Sequence, residues 1–276
     1  MKNAFTIDLE DWFCSHNLIS EIKYEDWDNL EGRVTMPTLR LLELLKKYDC
    51  KATFFVLGWV ADRYPELIQR IAVDGHEIAS HGYSHKLLTG ITPCFFEEDL
   101  VKSVNAIERA CGIKPAGYRA PAFTIVNSTK WAFDILKKLG FAYDSSVYPT
   151  NIHPDYGIGD APLTIYSPQS GLMEVPLSCA VLFNKNIPCS GGAYLRFLPY
   201  FLYKQLVNNV VKSGRAYIFY IHPWEIDPEM PRVKLPFLKA IRHYTNLAST
   251  FGKIERLLQD FEFTSLQAVL TEEQIG

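Results

Sequence analysis

Two imidazoles separated by three residues, His81-Gly82-Tyr83-Ser84-His85, follow the strand-like run Glu77-Ile78-Ala79-Ser80. Continued as a helix, positions i and i+4 would share one face, and both rings would reach a single ion. Imidazole suits zinc, cobalt, nickel or iron. The other candidate ionisable groups obey the same rule of falling just after a strand-like run. In chain order they are Asp8, Glu10 and Asp11; then His81 and His85; then Arg119; then Asp144; then His222. In a barrel of parallel strands the carboxyl ends meet on one face, where catalytic groups gather.

Strand-like and helix-like segments alternate along the whole chain, which predicts an α/β fold with a mainly parallel sheet. Strands are expected over 3–8, 52–57, 77–80, 116–118, 141–143, 174–178 and 216–221. Helices are expected over 34–48, with Thr35 as cap and Pro37 in the first turn, and over 65–73, 95–111, 128–139 and 197–212. Residues 148–170, rich in Pro, Gly and Asp, read as a long loop. A helical tail over 235–258 and a last strand over 261–266 complete the pattern. With no internal repeat and no low-complexity linker, 1–276 is expected to be one domain.

The 276 residues are 48% hydrophobic, enough for a sizeable core. A net charge of -3 without a basic block argues against nucleic acid as partner. The six cysteines, at 14, 50, 94, 111, 179 and 189, form no C-x-x-C pair and read as reduced, intracellular thiols. No signal-peptide pattern precedes the first strand, so a cytoplasmic location is expected, with peripheral membrane contact left open.

Taken together, the strand-end motifs resemble those of the NodB-homology polysaccharide deacetylases, carbohydrate esterase family four, in the subgroup associated with bacterial exopolysaccharide and surface-glycan assembly. Thr6-Ile7-Asp8-Leu9-Glu10-Asp11 resembles the first motif, His81-Gly82-Tyr83-Ser84-His85 the second, and Arg119-Ala120-Pro121-Ala122-Phe123 the third. Tyr143-Asp144-Ser145-Ser146 resembles the fourth and Tyr220-Ile221-His222-Pro223 the fifth. The match runs in order over about residues 3–225, leaving 226–276 as a helical elaboration with the last strand. The resemblance implies a distorted (β/α) barrel, with an incomplete ring allowed.

It also implies roles. An acid and two histidines would hold a divalent cation, zinc by preference with cobalt, nickel or iron as alternatives, and leave open positions for water and the amide carbonyl. Such an ion brings the pKa of its water from about 15.7 toward about 7. Asp8 would be the general base, held ionised by Arg119. His222 would be the general acid that protonates the leaving amine, oriented and charged by Asp144. An N–H beside Pro121, that of Ala122, would help hold the oxyanion.

The chain departs from the family in two places. Adjacent aspartates are usual in the first motif, base before ligand, whereas Leu9 intervenes here. Strand alternation puts residues 8 and 10 on one face and favours Glu10 as ligand, while a turn at Leu9 would bring Asp11 in instead. Ala122 stands where an aromatic is usual. Trp12, Phe13, Tyr118, Tyr148 and Trp224 flank the motifs as candidates for stacking on sugar rings. The turn Ser190-Gly191-Gly192-Ala193-Tyr194-Leu195-Arg196 is either a phosphate-binding helix start or a plain connector. His16, His76, His153 and His243 are read as structural or surface residues.

The expected function is metal-dependent N-deacetylation of an aminosugar in a bacterial polysaccharide, or in its lipid- or nucleotide-linked precursor, with acetate released. The same site would also suit a deformylase, an O-acetyl esterase or a cyclic-amide hydrolase. The non-enzymatic alternative is a glycan-binding protein with an inactive site. An N-acetylated saccharide is the expected partner, with membrane contact through a lipid-linked form. The sugar, its linkage and the oligomeric state are not legible in the sequence.

Overall fold

The computed structural model describes residues 2–152, 156–169 and 171–275. Its strands are β1 (Asn3–Leu9), β2 (Thr53–Val56), β3 (Glu77–Ser80), β4 (Gly117–Tyr118), β5 (Tyr143–Asp144), β6 (Tyr166–Gln169), β7 (Leu172–Glu174), β8 (Cys179–Leu182), β9 (Lys185–Pro188), β10 (Ile218–Ile221) and β11 (Phe263–Thr264). The α-helices are α1 (Thr35–Lys47), α2 (Gly58–Arg63), α3 (Pro65–Val73), α4 (Pro93–Cys111), α5 (Ala132–Lys138), α6 (Gly192–Phe197), α7 (Tyr200–Lys212), α8 (Phe237–Tyr244), α9 (Leu247–Asp260) and α10 (Leu266–Ile275).

The main sheet has the order β10-β1-β2-β3-β4-β5-β7-β6, with β11 pairing β1 at its start. Every pairing in it is parallel except β6 against β7. It curls into an open (β/α) half-barrel whose ends are β10 and β6. All seven residues of β1 and all four of β2 are buried, as central parallel strands covered on both faces must be.

Alternation sorts those residues between two cores. Phe5, Ile7, Leu9 and Phe54 pack in the layer beneath the helices, whereas Ala4 and Phe55 join the aromatic cluster of Phe123, Tyr143, Tyr148 and Tyr220 on the other face. Thr6 and Asp8, sharing the parity of Ala4, emerge on the same face as Phe55. This parity sends a carboxylate into the barrel rather than into the helical layer.

Local signals set the helix ends. The Thr92 hydroxyl accepts the Phe95 N–H at 3.2 Å ahead of Pro93, and left-handed Gly112 closes α4. Thr35 is the first residue of α1 and not its cap, which is Val34. The tail breaks in two at Asn246, whose backbone is left-handed. The 148–170 segment is a loop only in part, since it holds β6, and His153 lies outside the described residues. The expected strand over 174–178 gives way to β7 and, beyond it, to the separate β8–β9 hairpin. That hairpin turns on Phe183 and Asn184, both at positive φ, a two-residue turn without the glycine that would have announced it.

Candidate active site

β1 ends at Leu9, and the chain then turns tightly, with the Glu10 N–H donating back to the Asp8 carbonyl at 3.0 Å. The turn leaves Asp8 and Glu10 in one pocket with His81, His85, Ala122, His222 and Trp224. The His81–His85 stretch is an irregular loop and not the helix that would pair i with i+4. Gly82 and His85 both take positive φ, and the Tyr83 and Ser84 N–H groups are held by the Asp99 carboxylate at 2.7 and 3.1 Å. The rings still converge, with centroids 5.2 Å apart.

Glu10, His81 and His85 each offer one ligand atom, and these atoms lie within 4.8 Å of one another. His85 Nε2 approaches Glu10 Oε2 at 2.8 Å, yet that buried oxygen has no aligned hydrogen-bond partner. A buried carboxylate oxygen left unpaired beside two imidazoles fits a cation. His81 Nδ1 lies 2.8 Å from the Arg119 carbonyl, which places the ring proton there and frees Nε2 as a ligand. Burial pushes His81 down to about 4, so the ring is neutral, as a ligand must be. One carboxylate and two imidazoles suit zinc and its neighbours.

Asp11 corrects an expectation. Its carboxylate accepts the N–H groups of Trp12 at 2.8 Å, of Arg33 at 2.9 Å and of Val34 at 3.2 Å. Those bonds tie the 3-10 turn after β1 to the start of α1 and leave nothing for an ion.

Arg119 is fully buried. Its Nη1 donates to Asp8 Oδ1 and to the Thr6 hydroxyl, both at 2.7 Å, while Nε and Nη2 reach the Ser145 carbonyl and hydroxyl at 3.0 Å. The guanidinium also lies 4.0 Å over the Phe55 ring. Those five contacts fix the guanidinium, which pins Asp8 through Oδ1 and leaves its second oxygen 3.8 Å from His222 Nε2.

His222 follows β10 and is 19% exposed at the pocket wall. Its Nδ1 pairs with Glu225 Oε2 at 2.9 Å, and the other Glu225 oxygen accepts Arg196 Nε at 2.9 Å. Burial alone would lower the pKa of His222, but the Glu10 carboxylate, Glu225 and Asp8 outweigh it and hold it up to about 9.

Asp144 is therefore not the partner of His222, a second correction. Its carboxylate accepts the Ser146 hydroxyl at 2.6 Å and the Ser146 N–H at 3.2 Å, and it lies beside Glu174 across β5 and β7. Burial raises both carboxyls, Glu174 well above its usual range because Asp144 stands beside it. Asp144 and Ser146 act as a brace, since the same Ser146 hydroxyl accepts the Ala120 N–H at 2.8 Å.

The flanking aromatics are corrected too. Trp12 donates to the Glu31 carbonyl at 3.0 Å and packs on Phe13, Tyr118 packs on Phe96 and Phe141, and Tyr148 stacks on Tyr156. None of these expected platforms lines the pocket. Trp224 does, but as a support: its indole N–H donates to Glu10 Oε1 at 3.0 Å, and its ring stacks on His222 at 5.0 Å. Pro121 is buried beneath Ala122, and Ala122 and Phe123 are both left-handed. Two consecutive non-glycine residues at positive φ mark stored strain at the pocket edge.

A family model described as "Polysaccharide deacetylase" matches residues 27–143. Residues 27–143 are thus similar to the polysaccharide deacetylases. A second model, a domain of unknown function (DUF3473), matches residues 145–271. A peptidoglycan deacetylase of Helicobacter pylori is 38% identical over 131 residues, 47% of this chain and 43% of that protein. A peptidoglycan-N-acetylglucosamine deacetylase of Bacillus cereus is 36% identical over 112 residues, 40% of this chain and 39% of the relative. The chain thus spans less than half the length of these two relatives. A crystal structure from Mycobacterium smegmatis assigned to the polysaccharide deacetylases superposes with a TM-score of 0.61 at 21% identity, over 99% of this chain and 91% of that one. That likeness is one of fold.

The site draws on both matched segments and on residues that precede them. Asp8 and Glu10 precede both, His81, His85 and Arg119 lie in the first, and His222, Glu225 and Arg196 in the second. Glu225 and Arg196 were missed in the sequence. The signal for Glu225 was its place three residues after His222, where its carboxylate also accepts the His222 N–H at 3.2 Å. The glycine-rich turn before Arg196 is a spacer with a purpose: a Cβ on Gly192 would come within 2.3 Å of Glu225 Oε2. His76 is structural as expected, its Nδ1 accepting the Ala52 N–H at 3.1 Å, and His243 is buried against Trp224.

Proposed function

We propose that this chain removes N-acetyl groups from an aminosugar of a bacterial polysaccharide or its lipid-linked precursor, releasing acetate and a free amine. The observation that carries the reading is the flanking of the Glu10–His81–His85 cluster by Asp8 with Arg119 and by His222 with Glu225. The names of the Helicobacter and Bacillus relatives support an N-acetylated aminosugar as the substrate class.

Glu10, His81 and His85 would hold a divalent cation, zinc by preference; when bound, it polarises the amide carbonyl and makes water acidic enough to attack near neutrality. Asp8, pinned through Oδ1 by Arg119, keeps Oδ2 toward the pocket and takes the proton of the attacking water. His222, held as the imidazolium, donates its Nδ1–H to Glu225 and keeps its second proton on Nε2, facing the pocket. It delivers that proton to the amine nitrogen as the carbon–nitrogen bond breaks, since an amine cannot leave as an anion. The products balance: water adds hydroxyl to the acyl carbon and hydrogen to the nitrogen. Ala122 at the pocket edge is the candidate for the backbone N–H that meets the oxyanion.

We propose further that 1–276 works as one unit, because β10 of the second matched segment pairs directly with β1 and brings His222 to Asp8. The test is acetate release, with and without added zinc, from N-acetylated oligosaccharides and lipid-linked aminosugars. One acetate per amine formed is expected. Saccharide binding with no acetate, after metal supplementation, would overturn the reading.

A further inference from the structure

Residues 231–246 carry Arg232, Lys234, Lys239 and Arg242 and no acidic residue, in a chain whose net charge is -3. Within this stretch α8 presents Phe237 and Leu238 to solvent, 77% and 78% exposed, with Ile241 one turn on at 39%. Large apolar side chains this exposed, beside one another in a stretch that is basic and free of acids, have no partner among the described residues.

The opposite side of α8 is bolted to the active site. His243 packs its ring 4.6 Å from that of Trp224, and Arg196 donates to the carbonyls of Arg242, His243 and Thr245 at 3.0, 3.2 and 2.8 Å. Arg242 itself lines the pocket that holds Asp8 and His222. One short helix therefore joins an outward apolar and basic face to the wall of the site. Among the described residues no helix is long and apolar enough to cross a membrane, so such a face would lie on a surface and not span it.

We propose that α8 docks on an anionic lipid surface, with Phe237, Leu238 and Ile241 entering the headgroup layer and Lys234 and Lys239 meeting acidic lipids. Apolar burial alone binds such a short helix weakly, and each basic residue near the surface adds to it. The absence of acids across the stretch is charge complementarity to an anionic surface such as acidic lipid headgroups. Docking here sets the pocket beside the membrane, where the saccharide of a lipid-linked substrate stands. That last step rests on the deacetylase reading; the membrane contact does not.

The test is co-sedimentation of the full chain with phosphatidylcholine vesicles, with and without phosphatidylglycerol. The wild type is expected to pellet with the anionic vesicles, less so at higher ionic strength. Phe237→Ser/Leu238→Ser and Lys239→Glu are each expected to weaken pelleting about tenfold or more. The serine pair should leave turnover of a soluble N-acetylated saccharide unchanged. Wild type left in the supernatant, or a serine pair that pellets like wild type, overturns the proposal. So does a concentration-dependent dimer that the serine pair dissolves, which would make a second copy the occupant. Pelleting without turnover of any saccharide sinks the deacetylase reading alone.

Discussion

His222 Nδ1 and Glu225 Oε2 stand 2.9 Å apart, three residues separated in one 3-10 turn. Arg196, itself buried, anchors the far oxygen of the same carboxylate. The arrangement keeps Nε2 of His222 as the proton-bearing atom facing the pocket. Its charge is sustained by the Glu225 carboxylate behind Nδ1.

Glu225→Gln should therefore lower kcat by about 10²-fold, within the range that general acid catalysis contributes. The held-up pKa of His222, about 9, keeps the ring protonated until pH rises through that value. Removing the negative charge of Glu225 lowers it, so the alkaline limb of the pH–rate profile should move toward neutrality. A profile that falls in height without shifting would assign Glu225 a merely structural role.

Arg119 and Asp8 form a buried pair, and breaking such a pair leaves one charge without compensation. Arg119→Met should cost about 3–5 kcal/mol of stability, read by urea unfolding with the metal removed. Asp8→Asn, which keeps an acceptor for the guanidinium, should cost much less stability while abolishing acetate release. Equal losses of stability would contradict this division.

Asp11 and Glu10, neighbours in sequence, should separate in metal content. Glu10→Gln should lose bound metal, while Asp11→Asn should keep it and lose about 1–3 kcal/mol, because charge-assisted bonds to three backbone N–H groups weaken. Metal analysis of dialysed protein alongside thermal unfolding checks both.

The Asp144–Glu174 pair makes a stability prediction with a sign. The folded-state pKa of Glu174 lies well above its unfolded value, so the folded chain holds the proton more tightly. That contribution is complete below the unfolded pKa of about 4.3 and declines as pH rises, at up to about 1.4 kcal/mol per pH unit. Glu174→Gln should therefore gain on the wild type between pH 5 and 8 (about three units of that slope at most). A stability difference independent of pH would contradict the raised Glu174 carboxyl.

The sheet was legible in the sequence because its strands are apolar runs buried on both faces: β3 and α3 fall where periodicity put them. The hairpin β8–β9 was not, since its strands are only partly buried and its Phe-Asn turn lacks a glycine signal. Alternation pointed to Glu10, although Glu10 lies beyond the strand and is aimed by a turn back to Asp8. Asp144 misled because it sits at a strand end like the others; only the register beside Glu174 shows that its charge is spent there. Trp224 was recognised as important for the wrong reason. Its contact with Glu10 spans 214 positions of sequence, which no local pattern encodes.

The convergence of Glu10, His81 and His85 on one cation is most directly tested by anomalous diffraction at the zinc edge from metal-supplemented crystals. The account predicts one strong peak about 2.0–2.2 Å from a Glu10 oxygen and one nitrogen each of His81 and His85, with Asp8 and His222 beside it and Asp11 still bound to its backbone N–H groups. A peak ligated by Asp11, or none between the two imidazoles, would contradict it.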